Sequence, residues 1–198
     1  KEPTAFRVAY QSLKLYDTNF ETIVNAFANL PGWYDHLLSW VRDASSYIDI
    51  FAIDHYPGTW TAIGVGPSDW TPLDSLINFM NIYGKKGAIM ETGFATTHPE
   101  DTPWWNIPGY WHTEDDQEIF INTALPIIKS KSLSHNTLKA RSTNKILLAT
   151  WYELLDASDT FTGGYIERVE KHLGICKKNG DRKMGYDDLQ KRIAEFYI

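Results

Sequence analysis

Short apolar runs alternate along this chain with longer segments in which apolar residues recur every three or four positions. The runs at 4–10, 47–54, 88–90 and 145–151 predict β-strands, because they are of strand length and are bounded by turn residues. Helical spacing predicts helices over 33–44, from about 72 to 83, over 114–131 and over 186–197. Pro126 should kink or split the third helix, and the segment between 11 and 32 is interpreted as an irregular connection.

The order strand, helix, strand, helix, strand predicts a parallel sheet with right-handed crossovers. The third apolar run ends on Glu91, which is followed by Thr92 and Gly93. A strand as apolar as this one normally lies inside a parallel sheet, covered on both faces. Glu91 is therefore predicted to lie at the edge where α/β folds bind ligands.

Composition narrows the classes of function. The chain has 198 residues, of which 43% are hydrophobic and 14% aromatic, with eight Trp. This many rings predicts that some line a ligand surface. The net charge of -6 argues against nucleic acid or an anionic membrane as the main partner. A single cysteine, Cys176, excludes an internal disulfide.

Three strand ends and one later segment resemble a known family. The motifs IDHYP at 53–57, METG at 90–93 and ATWYE at 149–153 are similar to the ends of the sixth, seventh and eighth strands of retaining glycoside hydrolases of clan A. The segments LGI at 173–175 and NGDRKMGY at 179–186 resemble the stretch that leads those barrels into their last helix. The resemblance covers residues from about 47 to the end of the chain.

The resemblance implies a role for each matching residue. Glu91 would be the nucleophile. Tyr56, or alternatively His55, would donate a hydrogen bond to it, and Trp151 would form the floor under the sugar. Aromatic residues in the loops are further candidates for stacking on sugar rings: Trp60, Trp70, Trp104, Trp105 and Trp111.

One catalytic group of the family has no match. Retaining hydrolysis needs a second, protonated carboxylic acid about 5 to 5.5 Å from the nucleophile. In the family this acid/base is a Glu preceded by Asn, and the chain contains no Asn-Glu pair. A complete barrel of this kind needs roughly 250 residues. We therefore predict a single domain over 1–198 that is a parallel (β/α) half barrel, corresponding to strands 5–8 of a (β/α)8 TIM barrel.

A half barrel leaves sheet edges uncovered, and such edges invite pairing. The predicted partner is an N-terminal half-barrel chain that carries the acid/base, or less readily a second copy of this chain. Glu153 and Asp156 follow the fourth predicted strand and are alternative acids, although residues in such positions more often hold a loop. Trp151 has packing in the core as its alternative role.

No cofactor or metal is predicted. His98 with Asp101, and His112 with Glu114, Asp115 and Asp116, match no known ligand spacing. Three functions remain: a retaining β-glycosidase, a non-catalytic carbohydrate-binding remnant, and a metal-dependent hydrolase, which the lack of a ligand cluster disfavours.

Overall fold

A computed structural model of the chain describes residues 2–29, 32–59, 68–96, 113–138, 146–157 and 171–195. Four strands form one sheet: β1 (Ile23–Phe27), β2 (Ile50–Asp54), β3 (Lys86–Thr92) and β4 (Ile146–Trp151). The α-helices are α1 (Glu2–Tyr16), α2 (Trp33–Ala44), α3 (Thr71–Tyr83), α4 (Glu114–Leu138) and α5 (Tyr186–Glu195), and a short 3-10 helix spans Ser45–Tyr47.

The sheet confirms the predicted fold class. Its order is β1-β2-β3-β4, which is also the order along the chain, and the strands are parallel. Helices α2 and α3 connect β1 to β2 and β2 to β3. The arrangement is an α/β half barrel, in which the carboxyl ends of the strands share one edge.

The first strand lies elsewhere than predicted. Residues 4–10, which were predicted to be a strand, belong to α1, and β1 lies at Ile23–Phe27, within the predicted connection. Phe6, Tyr10 and Lys14 recur every four residues along α1 and are its less exposed positions. A helix places residues at that spacing on one face. Packing of this face outweighs the local β propensity of residues 4–10.

The chain divides into two compact units. The first comprises Lys1–His55, Thr71–Glu91 and Lys131–Thr150, and the second comprises Tyr56–Trp70, Thr92–Ser130 and Trp151–Ile198. In the described part of the chain, no helix has the length and apolar character needed to cross a membrane.

The core of the first unit lies between β2 and α3. Phe51 and Phe79 are fully buried, with their rings edge to face and their centroids 4.9 Å apart. Helix α3 ends at Tyr83, as predicted, and is followed by Gly84, whose φ of 66° lies in the left-handed region that glycine adopts readily.

The second unit is organised around the first part of α4. Thr113 and Asp116 form a reciprocal cap: the Asp116 amide donates to Thr113 Oγ1 at 3.1 Å, and the Thr113 amide donates to Asp116 Oδ2 at 2.8 Å. Phe120 is buried and stacks on Phe94, with their centroids 5.2 Å apart. Pro126 does not end α4, which continues to Leu138.

Candidate functional site

A register shift between β2 and β3 sets the position of Glu91. Ile53 pairs with Ile89, whereas the next residue of β2, Asp54, pairs with Glu91, so Met90 is an extra residue on β3. Successive side chains of a strand alternate between the two faces of the sheet. Without the extra residue, Asp54 would pair with Met90. The bulge instead aligns Glu91 with Asp54 at the carboxyl edge of the sheet, which is where bulges commonly re-aim functional side chains.

Asp54 is the buried member of this carboxyl pair. It is 9% exposed, and its Oδ2 accepts a hydrogen bond of 2.5 Å from the Nδ2 of Asn25 on β1. Its Oδ1 is buried and has no hydrogen-bond partner in the described part of the chain. Burial and the nearby charge of Glu91 raise the pKa of Asp54 to about 6, against the opposing hydrogen bond from Asn25.

His55 continues β2 and is held from two sides. Its backbone amide donates to the carbonyl oxygen of Glu91 at 2.9 Å. Its ring Nδ1 lies 3.1 Å from Oδ1 of Asn29, an oxygen that can only accept, so Nδ1 is the donor. The ring of His55 is therefore oriented by Asn29, which follows β1.

In the second unit, Tyr56 packs beside the segment that follows β4. The rings of Tyr56 and Tyr152 pack edge to face, with their centroids 6.4 Å apart. The Tyr152 amide donates to the Thr92 carbonyl oxygen at 2.8 Å. A Cβ added at Gly93 would lie 2.3 Å from the Tyr152 carbonyl oxygen, so this close approach requires glycine.

Trp151 is partly exposed and lies against α4. Its ring packs edge to face on that of Phe120, with their centroids 5.9 Å apart. Its Nε1 is buried without a hydrogen-bond partner among the described residues. Trp151 thus combines a packed ring edge with a surface that is not fully covered.

Asp156, one of the alternative acids, is engaged in a partly buried ion pair. Lys183 Nζ donates to Asp156 Oδ1 and to Thr96 Oγ1, both at 2.7 Å, and to the His172 carbonyl oxygen at 3.1 Å. Burial raises the pKa of Asp156 and lowers the pKa of Lys183, and the hydrogen bond between them opposes both shifts. This contact gives Asp156 a structural role.

Three solved structures resemble this fold over nearly the whole chain. A GH2 β-galacturonidase from Eisenbergiella tayi has a TM-score of 0.61 at 15% identity, covering 98% of this chain and 30% of its own. A family 39 glycoside hydrolase from Bacteroides cellulosilyticus has a TM-score of 0.62 at 12% identity, covering 97% and 37%. A β-1,3-glucanosyltransferase from Rhizomucor miehei has a TM-score of 0.58 at 13% identity, covering 92% and 56%.

The fold is an α/β half barrel, and the structures that it resembles are glycoside hydrolases with a TIM barrel. No family model matches the sequence, and no curated protein matches it. The chain spans between about a third and just over half the length of the three similar structures. At these identities the similarity establishes the fold alone.

Most of the remaining predicted site residues fall into two groups. Trp70 is 1% exposed and belongs to the core of the second unit rather than to a sugar-binding surface. The other residues lie outside the described part of the chain: Trp60, Trp104, Trp105, Trp111, His98, Asp101 and His112. Among described residues, no group of three His, Cys, Asp or Glu side chains could hold a metal ion.

Asp54 at the carboxyl edge and Asn25, which donates a hydrogen bond to it, had no role assigned from the sequence. Asp54 lies inside the IDHYP motif, and Asn25 lies in the segment interpreted as a connection. A signal was present for Asp54, since it is a carboxylate that directly ends an apolar strand, as Glu91 is. The sequence contained no such signal for Asn25, because β1 itself was not predicted.

Proposed function

We propose that this chain supplies the nucleophile, Glu91, of a retaining glycosidase that hydrolyses β-glycosidic bonds in poly- or oligosaccharides. The observation that carries the proposal is the bulge in β3, which aligns Glu91 with Asp54 at the carboxyl edge of the sheet. In TIM barrels this edge bears the active site. The glycoside hydrolase fold and the METG motif support the same assignment.

In the proposed reaction the Glu91 carboxylate attacks the anomeric carbon. The new carbon–oxygen bond forms as the bond to the leaving oxygen breaks, and that oxygen takes a proton from the acid/base. Water, deprotonated by the same acid/base, then releases the sugar and restores the carboxylate. Tyr56 and Trp151 keep the roles that the resemblance implies, as hydrogen-bond donor to the nucleophile and as floor of the site.

The acid/base is assigned to a complementary N-terminal half of the barrel. The sequence contains no Asn-Glu pair, and Asp156 is bound to Lys183. The similar structures include a β-galacturonidase and a β-1,3-glucanosyltransferase, whose sugars differ. We therefore propose β-linked glycans as the substrate class and assign no particular sugar.

The test is covalent labelling with 2-deoxy-2-fluoro-β-glycosides that carry a 2,4-dinitrophenolate leaving group. This leaving group departs without protonation, so labelling needs the nucleophile but not the acid. A panel of gluco, galacto, manno and xylo reagents covers the common sugars. We expect one adduct per chain by intact mass, on the peptide that contains Glu91, and none in Glu91→Gln.

Glu21→Gln is the matched control. The Glu21 carboxylate pairs with Lys86, the first residue of β3, at the end of that strand opposite to Glu91. It should label as the wild type does. An adduct on another residue, or labelling that survives in Glu91→Gln, would show that Glu91 is not the nucleophile. The control must label for the loss in Glu91→Gln to count.

A carbohydrate-binding remnant is the second candidate, favoured by the missing Asn-Glu pair. It predicts that sugars bind but that no reagent of the panel forms an adduct. Adding the N-terminal half separates the two, because a remnant stays unlabelled and inactive in its presence, whereas the glycosidase becomes active on unmodified substrates.

A further inference from the structure

We propose that Asp54 is a positioning residue that holds a proton on Oδ1 beside Glu91, so that the two carboxyl groups share one negative charge, carried by Glu91. This inference rests on the proposed function of Glu91. It gives a role to a buried acid that the reaction itself does not use.

The geometry of the sheet brings the two groups together. The extra residue Met90 aligns Glu91 with Asp54 across adjacent strands. Residues directly opposite each other on neighbouring strands are close enough for their side chains to interact. Two carboxylates at such a distance repel each other, and the pair is stabilised when one of them keeps its proton.

Burial decides which of the two keeps the proton. Asp54 is 9% exposed, whereas Glu91 is only partly buried and stays in contact with water. Ionising Asp54 would leave a charged Oδ1 in a buried position where no described group donates to it. A buried charge without a partner is far more costly than a solvated one, so the charge belongs on Glu91 and the proton on Asp54.

Among the described residues, no cation is found among the groups that shift the pKa of Asp54. From β1 it receives the neutral amide of Asn25, and from β3 it faces the acidic group of Glu91. The adjacent His55 directs Nδ1 to Asn29. The pKa of about 6, raised by burial and by Glu91, is consistent with an Asp54 that is protonated in mildly acidic solution.

The arrangement predicts a pH dependence for the nucleophile itself. Above about pH 6, Asp54 loses its proton and places a second negative charge beside Glu91, which repels that carboxylate from its working position. Labelling by the dinitrophenyl fluoroglycosides reports this step alone, because it needs no acid. Its rate should fall about tenfold per pH unit on the alkaline side, as expected for loss of one essential proton.

The first experiment measures the labelling rate between pH 4.5 and 8.5 in the intact protein. In Asp54→Asn the amide stays neutral and still presents N–H groups, so the rate should be level across the alkaline range where the wild type declines. Asp54→Ala should label more slowly at every pH. An Asp54→Asn profile that keeps the wild-type decline would overturn the proposal, since a purely structural Asp54 would leave the profile unchanged.

The second experiment locates the proton without relying on catalysis. The 13C carboxyl resonance of Asp54, assigned with Asp54→Asn, is titrated in the wild type and in Glu91→Gln. We expect a pKa near 6 that falls when the charge of Glu91 is removed. A pKa below about 4.5 in the wild type, close to the ordinary range, or the same pKa in both proteins, would overturn the proposal.

The two experiments also separate this inference from the proposed function. If no variant labels at any pH but Asp54 titrates near 6 and responds to Glu91→Gln, the nucleophile assignment is wrong and the shared charge stands. If Glu91 labels but Asp54 titrates in the ordinary range, the nucleophile assignment stands and the shared charge is wrong.

Discussion

Asp54 ends β2 and Asp156 follows β4, and the groups bound to their carboxylates differ. Asp156, in the second unit, accepts a hydrogen bond of 2.7 Å from the ammonium group of Lys183. Asp54, in the first unit, accepts one from the neutral amide of Asn25 and has a second oxygen without a partner in the described part of the chain. Burial raises the pKa of both, and in the described part of the chain Asp156 is the one of the two with a cation beside it.

The difference separates a carboxylate bound in an ion pair from one whose second oxygen has no partner among the described residues. The three hydrogens of Lys183 are bound by oxygens of Asp156, Thr96 and His172, which come from three separate segments. All the polar capacity of that ammonium group is used to hold these segments together. Asp54 instead keeps an unused oxygen beside Glu91, and perturbed groups of this kind are concentrated at functional sites.

The largest expected effect on stability is that of Lys183→Met. The Lys183 side chain is 2% exposed, so the variant leaves Asp156 as a buried charge without its cation. We expect the free energy of unfolding to fall by about 3 to 5 kcal/mol, as for other buried pairs that lose one partner. Urea denaturation at pH 7 measures it, and the double variant Lys183→Met with Asp156→Asn should recover part of the loss.

Lys131→Met provides the matched control. Lys131 pairs with Asp74 at 2.5 Å, but their side chains are 30% and 56% exposed. Exposed pairs contribute about 0 to 1 kcal/mol. If both lysine variants lose the same stability, the ion pair of Lys183 is not the structural element that the contacts describe.

The second test is the stability of Asp54→Asn as a function of pH. The folded pKa of Asp54, about 6, lies above its ordinary value of 3.8. Between these values the folded state binds more protons than the unfolded state, so wild-type stability falls as pH rises from about 4 to 6. The total loss is on the order of 3 kcal/mol.

Asparagine cannot ionise, so Asp54→Asn should avoid this loss. We expect it to be more stable than the wild type at pH 7 and of similar stability below pH 4, by thermal or urea denaturation at both pH values. Asp74→Asn, at an exposed carboxylate, is the control and should not change the stability in this pH-dependent way. If Asp54→Asn and the wild type are equally stable at pH 7, the charge of Asp54 is better solvated than the structure shows.

Much of the fold could be predicted because the local pattern and the final packing agree. Helix α2 has the predicted bounds, and β3 and β4 lie where their apolar runs place them. The prediction failed at the start of the chain. There β1 is an edge strand with Asn25 in its middle, so its sequence lacks the apolar run of a central strand.

The candidate site was predictable in part for a related reason. The position of Glu91 at the carboxyl end of β3 could be predicted, because a lone carboxylate after an apolar run stands out in the sequence. Its alignment with Asp54 depends on one extra residue in β3, and no residue pattern in 86–92 marks that bulge. The pairing of Asp156 with Lys183 joins residues 27 positions apart through a buried contact, which a sequence pattern does not encode.

The smallest expected effect concerns Gly93, two residues beyond Glu91. An alanine there would place its Cβ 2.3 Å from the Tyr152 carbonyl oxygen, a backbone atom that cannot rotate away. We expect Gly93→Ala to lower the free energy of unfolding by about 1 to 3 kcal/mol, the usual range for overpacking.

In Gly87→Ala, the control, the added Cβ would meet the flexible end of the Met80 side chain, 2.3 Å from its Sδ. Because that side chain can change rotamer, Gly87→Ala should lose less stability. A larger loss in Gly87→Ala than in Gly93→Ala would mean that the segment after β4 yields more easily than the interior of the first unit, contrary to the close backbone packing at Gly93.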